Sequence, residues 1–268
     1  MKNSILKIIV ILGVAVALIK SSYSSERVLV LEESTTLSLN DEVNSESVTK
    51  VMAQALIMDN ALKGDEEITL VLSTPGGSIQ AGIELITFIN GLKHKVNTLT
   101  IFSASMGFQI VQGLNKRLIL PYGTLMAHKA RGGFQGEFPG QVDSRYSHAI
   151  ARINQLDEVV VKRTNGKLTN KTYKALYENE YWVDGQKAID DGLADEVVIA
   201  RCGESLIGEK NESILFMGFI PVNLVLSKCP LITSPLEIKV GGSPSDADRT
   251  KITNELTNSK AKAPLIKF

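Results

Sequence analysis

Ile68-Thr69-Leu70-Val71-Leu72-Ser73-Thr74-Pro75-Gly76-Gly77-Ser78 decides how the rest of the chain is read. Its first five residues are β-branched or apolar and too few for a helix, so they predict a short strand. Ser73 to Ser78 is a turn, and the apolar residues Ile83, Leu85, Phe88 and Ile89 beyond it predict a helix. The pattern then repeats. Thr98–Phe102 reads as a strand, Ala104-Ser105-Met106-Gly107 as a turn, and a third apolar helix follows. Upstream, Asp41–Leu62 carries Val48, Val51, Met52, Ala55 and Leu56 on one helical stripe, ended by Gly64 and Asp65. Arg117–Leu120 and Thr124–Ala127 read as two strands paired across Pro121-Tyr122-Gly123. Gln141–Thr164 has apolar residues at Val142, Ile150, Ile153, Leu156, Val159 and Val160 and reads as a long amphipathic helix. Strands alternating with helices give an α/β fold with a largely parallel sheet, whose chemistry collects in loops at the carboxyl ends of strands.

The composition bounds the function. In 268 residues there are 29 basic and 29 acidic side chains, and 44% of the chain is hydrophobic, enough for a substantial core. A formal net charge of zero removes the lysine and arginine surplus that phosphate contacts require, so no nucleic-acid partner is expected. The first residues, MKNSILKIIVILGVAVALIKSSYSS, join Lys2 and Lys7 to an apolar run from Ile8 to Ile19 and small residues at Ser22-Tyr23-Ser24. They read as a signal peptide over residues 1–24 that sends the chain to the periplasm or outside the cell, with an uncleaved membrane anchor as the alternative. Residues 25–200 form the main domain in this reading, and 201–240 a β-rich extension in which Ile214–Ile232 supplies a pair of strands against the main body. Residues 241–268 are polar and aperiodic and are expected to form a mobile tail. Cys202 and Cys229 would be ordinary thiols in a reducing cytosol, whereas in an exported chain an even pair invites a disulfide.

Three loop motifs carry candidate chemistry, and each has a plain structural alternative. Pro75-Gly76-Gly77 can bring backbone N–H groups close to a ligand, or can be a tight turn. Walker A spacing and the dinucleotide glycine pattern are absent. Ser105 sits where a strand meets a helix, so its hydroxyl can be a nucleophile stabilised by the next N–H and the helix dipole, or a helix N-cap. His128, one of three histidines, follows the strand Thr124–Ala127 and can be the base that a serine nucleophile needs, or a residue capping a strand.

Taken together, Thr74-Pro75-Gly76-Gly77-Ser78, Ala104-Ser105-Met106-Gly107, Met126-Ala127-His128 and Gly132-Gly133-Phe134-Gln135-Gly136 resemble the Clp protease proteolytic subunit family, from about Arg27 to Val198. The resemblance implies an α/β fold of repeated ββα units with a long handle helix, shared in outline with the crotonases. It implies a serine peptidase that uses no metal or cofactor, with Ser105 as nucleophile, His128 as general base and the N–H groups of Gly77 and Met106 as oxyanion hole. The family's triad acid stands twelve residues before the glycine of a Gly-Leu-Val-Asp-like segment, here Gly192-Leu193-Ala194-Asp195, which selects Glu180. The family has aspartate there, so Glu180 is a departure, and Asn179 and Asp184 are the neighbouring alternatives. Gln141–Thr164 would be the handle joining two heptameric rings, and Gly132–Gly136 would border the cleft where an extended peptide adds along a strand edge. Cytosolic members receive unfolded chains from a partner ATPase. An exported one would lack ATP and act on short or already unfolded peptides. The alternatives are a Ser-Lys peptidase of the signal-peptide-peptidase kind, with Lys129 or Lys162 as base, and a catalytically silent scaffold.

Overall fold

The computed structural model describes residues 27–216, 220–242 and 246–260. The expected signal sequence at residues 1–24 lies outside them. Strands β1 (Arg27–Leu31) and β2 (Thr36–Leu39) lead into helix α1 (Ser45–Ala61), and strand β3 (Ile68–Thr74) into α2 (Ile79–Ile89). Strand β4 (Val96–Ala104) precedes α3 (Met106–Gly113), and β5 (Arg117–Ala127) precedes the long α4 (Gln141–Arg163). Helix α5 (Asn170–Leu176), strand β6 (Tyr181–Asp184), helix α6 (Gly185–Asp190) and strand β7 (Glu196–Cys202) complete the main body. Its strands run in the order β1-β7-β5-β4-β3-β2, all parallel, with β6 pairing antiparallel to the far end of β5. This is the mixed α/β architecture that alternating strands and helices require.

The run Ile68–Leu72 is continuously apolar because β3 is buried on both faces. Leu70 and Leu72 join a core with Val51, Leu85, Phe108 and Val160, under the helices. Val71 points the other way, into a second core with Leu31, Leu99, Leu118, Val198 and Leu206. Helix α1 begins at Asn44, whose side chain accepts from the N–H groups of Glu46 and Ser47 in a capping box.

Two expectations are corrected. Arg117–Leu120 and Thr124–Ala127 are not two strands of a hairpin but one strand, β5, running parallel to β4 throughout. The register jumps from Thr100↔Ile119 to Phe102↔Thr124, so Pro121-Tyr122-Gly123 is absorbed as a bulge instead of a turn. Gly123 is needed there, since a Cβ would lie 2.4 Å from the Thr100 carbonyl oxygen. The expected mobile tail over residues 241–268 contains helix α7 (Asp246–Lys260). Its Ile252 is buried against Val222 and Leu224, an anchor that a polar average over the segment conceals.

The extension is a three-stranded antiparallel sheet of β8 (Glu209–Phe216), β9 (Ile220–Ser227) and β10 (Glu237–Val240). A disulfide between Cys202 and Cys229, 27 residues apart with Cα atoms 5.8 Å from each other, ties it to the end of β7. Leu231, just beyond that link, packs on the second core of the main body.

Candidate active site

Three neighbouring strands end on one edge of the sheet, and each delivers one motif. Beyond β3, Val43 N–H donates to the Gly76 carbonyl at 2.7 Å and Ser78 N–H donates to the Val43 carbonyl at 2.7 Å, a parallel bridge that centres on Gly77. In such a bridge the central residue aims its own N–H away from its partner, here toward β4. Gly76 holds φ +92°, and a Cβ on it would meet the Ser105 Cβ at 2.6 Å and the Met106 nitrogen at 2.8 Å. Only a glycine lets the turn lie this close to the serine.

Ser105 itself has φ 54° and ψ −118°, a sparsely populated conformation for a residue with a side chain. Its side chain makes no cap hydrogen bond to α3, so the hydroxyl is not spent on the helix. Met106 opens that helix, which leaves its N–H among the orphan donors at a positive dipole end. Ser105 N–H donates to the Met126 carbonyl at 2.8 Å, locking the β4 turn beside the end of β5 two residues before His128. Ser105 and His128 consequently open onto the same cavity, of about 250 Å³, which is also lined by Ile79, Met106, Ile150 and Ile153.

His128 Nδ1 is buried and has no hydrogen-bond partner among the described residues. Burial pushes the imidazole pKa below its ordinary value and the Arg131 guanidinium pushes it further down, while the Glu180 carboxylate opposes both. A histidine held neutral in this way is ready to accept a proton.

The antiparallel β5–β6 register ends at Ala127↔Tyr181, so its continuation sets Glu180 opposite His128. Asp184 lies at the other end of β6, opposite Thr124 and about 13 Å along the strand. Asn179 is exposed on the 3₁₀ turn Tyr177–Asn179. The backbone therefore brings Glu180 nearest to the imidazole, and does so with a strained φ of 73°. The carboxylate, however, accepts from Trp182 Nε1 at 3.1 Å and from Arg131 Nη2 at 3.4 Å, not from His128. Of the two lysines weighed as bases, Lys129 lines the cavity but its ammonium is hydrogen-bonded to Glu178, and Lys162 is exposed outside the lining.

The cavity also holds Asp157, Tyr173 and Tyr177, which motif spacing does not reveal. Asp157 is 4% exposed and its Oδ2 accepts the Tyr177 hydroxyl at 2.8 Å. The available signal was a carboxylate inside the apolar stripe of Ile150, Ile153, Leu156 and Val160.

A family model described as Clp protease matches residues 20–201, more than half of the chain and every residue placed at the site above.

Proposed function

The chain belongs to the Clp protease family, and on that premise we propose that it is a serine endopeptidase cleaving peptides or unfolded proteins. The observation that carries this reading is the opening of Ser105 and His128 onto one cavity, beside backbone amides with positive potential. The imidazole takes the Ser105 hydroxyl proton through Nε2 as the oxygen attacks the scissile carbonyl. The N–H groups of Gly77 and Met106 hold the resulting oxyanion. His128 then passes the proton to the leaving amine, and water repeats the sequence on the acyl-enzyme. Glu180 orients the imidazolium by accepting from Nδ1 when it exchanges its Trp182 partner for the histidine.

The same family background supports a ring of identical subunits joined through α4. The basic, then apolar, then small-residue order of residues 1–24 supports export. Away from an ATP supply the enzyme works on short or unfolded peptides without an unfoldase. Fractionation finding the unprocessed chain in the cytosol bound to an ATPase would overturn that part.

Labelling by a fluorophosphonate tests the chemistry. Modification at Ser105, lost in His128→Ala, is the expected result. Labelling that survives His128→Ala but is lost in Lys129→Ala would transfer the base to the lysine. A folded oligomer that never labels would make the chain a scaffold.

A further inference from the structure

The cavity beside Ser105 has a mostly apolar wall and a charged floor. Along α4 the residues facing it are Ile150, Ile153, Leu156 and Asp157, and their exposure falls from 38% at Ile150 to 4% at Asp157. Ile150 is therefore on the solvent side, and the buried carboxylate stands two helical turns, about 10 Å, along the helix from it. A side chain entering from the serine would pass its stem along Ile79, Ile153 and Leu156 before its tip met Asp157. Apolar contacts with a carboxylate among them suit a lysine or arginine, whose stem is apolar and whose end is a donor, better than leucine or valine.

The carboxylate is also under-supplied with partners. Oδ2 accepts the Tyr177 hydroxyl, and Lys174 Nζ stands 3.9 Å from the same oxygen. That ammonium is half exposed and donates to Asn154 Oδ1 at 2.9 Å, so water and the amide share its charge. No hydrogen bond to Oδ1 is formed among the described residues, although a carboxylate has about four acceptor sites. A buried carboxylate with this little compensation is costly unless a cation arrives. Burial accordingly pushes its pKa upward, against the opposing influence of Tyr177 and Lys174. Of the other groups in the cavity, Lys129 is held by Glu178 and the His128 imidazole is kept neutral.

We propose that Asp157 is the specificity-determining residue of this enzyme and selects substrates with lysine or arginine on the acyl side of the scissile bond. The proposal rests on the serine-peptidase reading above. A guanidinium or ammonium at the floor supplies the donors that Oδ1 lacks, while a leucine leaves the carboxylate unpaired. Unpaired buried polar groups are what make such discrimination strong.

Fluorogenic peptide amides with one leaving group and arginine, lysine or leucine before it measure this as a ratio of kcat/KM. The native enzyme is expected to favour the basic peptides by about tenfold or more over leucine. Asp157→Leu should reverse that order. Asp157→Asn should bring the ratio near one, and Tyr177→Phe, which removes the hydrogen bond but keeps the carboxylate, should preserve the preference. Damage to folding lowers all three rates together and leaves the ratio untouched. A native preference for leucine, or a ratio unmoved by Asp157→Leu, overturns the proposal while Ser105 still labels with fluorophosphonate. Failure of Ser105 to label, with no peptide cleaved, overturns the peptidase reading and this one with it.

Discussion

At the amino-terminal end of the parallel sheet, Arg117 is 2% exposed and every donor of its guanidinium is used. It donates from Nε and Nη2 to Asp195, from Nη1 to Gln112 Oε1 and the Gly192 carbonyl at 2.8 Å each, and from Nη2 to the Arg163 carbonyl. Burial would push the Asp195 carboxyl upward, yet its bonds and charge contact with Arg117 hold it below the ordinary carboxylate value. At the carboxyl end of the same strands the opposite holds. Ser103 Oγ and His128 Nδ1 are buried without partners among the described residues, and Ser105 and Glu180 hold positive φ. The third such residue, Asn165, follows the end of α4, where asparagine adopts that conformation at small cost. The Arg117 cluster at one end has its donors satisfied and serves stability, although the Thr36 hydroxyl at the start of β2 is buried without a partner among the described residues. The other end keeps strain and unspent hydrogen bonds, as the proposed reaction requires of groups that must change partners.

The sharpest way to break this contrast is Ser105→Ala. Peptide hydrolysis should fall by about 10⁴-fold or more, as loss of a triad member does, while the melting temperature stays level or rises as the hydroxyl leaves. A large loss of stability would mean the turn is structural. Gly76→Ala should damage both properties, since its Cβ would overlap the Ser105 turn at a positive φ. A destabilisation on the order of 4 kcal/mol in chemical denaturation is expected, with loss of activity. At the Arg117 end, Arg117→Ala takes the donors from the buried Gln112 Oε1 and the Gly192 carbonyl and leaves Asp195 only Arg163 and a backbone N–H, and should cost about 3 kcal/mol by the same measurement. Activity per folded molecule should be retained, which assaying the folded fraction checks.

Smaller effects sharpen the comparison within the proposed catalytic end. Glu180→Gln keeps shape and removes charge, and should lower kcat/KM by about 10–100-fold with little change in stability. An unchanged rate would release Glu180 from the triad. Arg131→Ala removes a cation that depresses the His128 pKa and also occupies Glu180. The free-enzyme base must be neutral, so activity falls as pH drops through that pKa. Removing Arg131 should raise the pKa and move the acid limb of the kcat/KM profile to higher pH. A limb that stays in place or moves to lower pH would contradict this assignment of charge.

Much of this organisation is legible in local patterns. Ile68–Leu72, the paired glycines and the stripe of α4 announce their elements because propensity and periodicity act over a few residues. The error at Pro121 has the same origin: a proline and glycine between two apolar runs favour a hairpin locally, and pairing with β4 overrode it. Ile252 was hidden because one anchoring residue does not alter the composition of a polar segment. The resemblance to the family pointed to Glu180, but its partners could not be read, since they depend on where Trp182 and Arg131 stand. Asp157 was present in the helix pattern without a sign of what it faced.

From the order of residues alone follow the succession of strands, glycine turns and helices and the chemical types of a nucleophile and a base. Folding in three dimensions decided which of these meet. Residues 105 and 128 face one cavity because β5 lies beside β4 and accepts the Ser105 N–H. No local preference encodes that adjacency, which arises from burying both faces of a sheet built by distant segments.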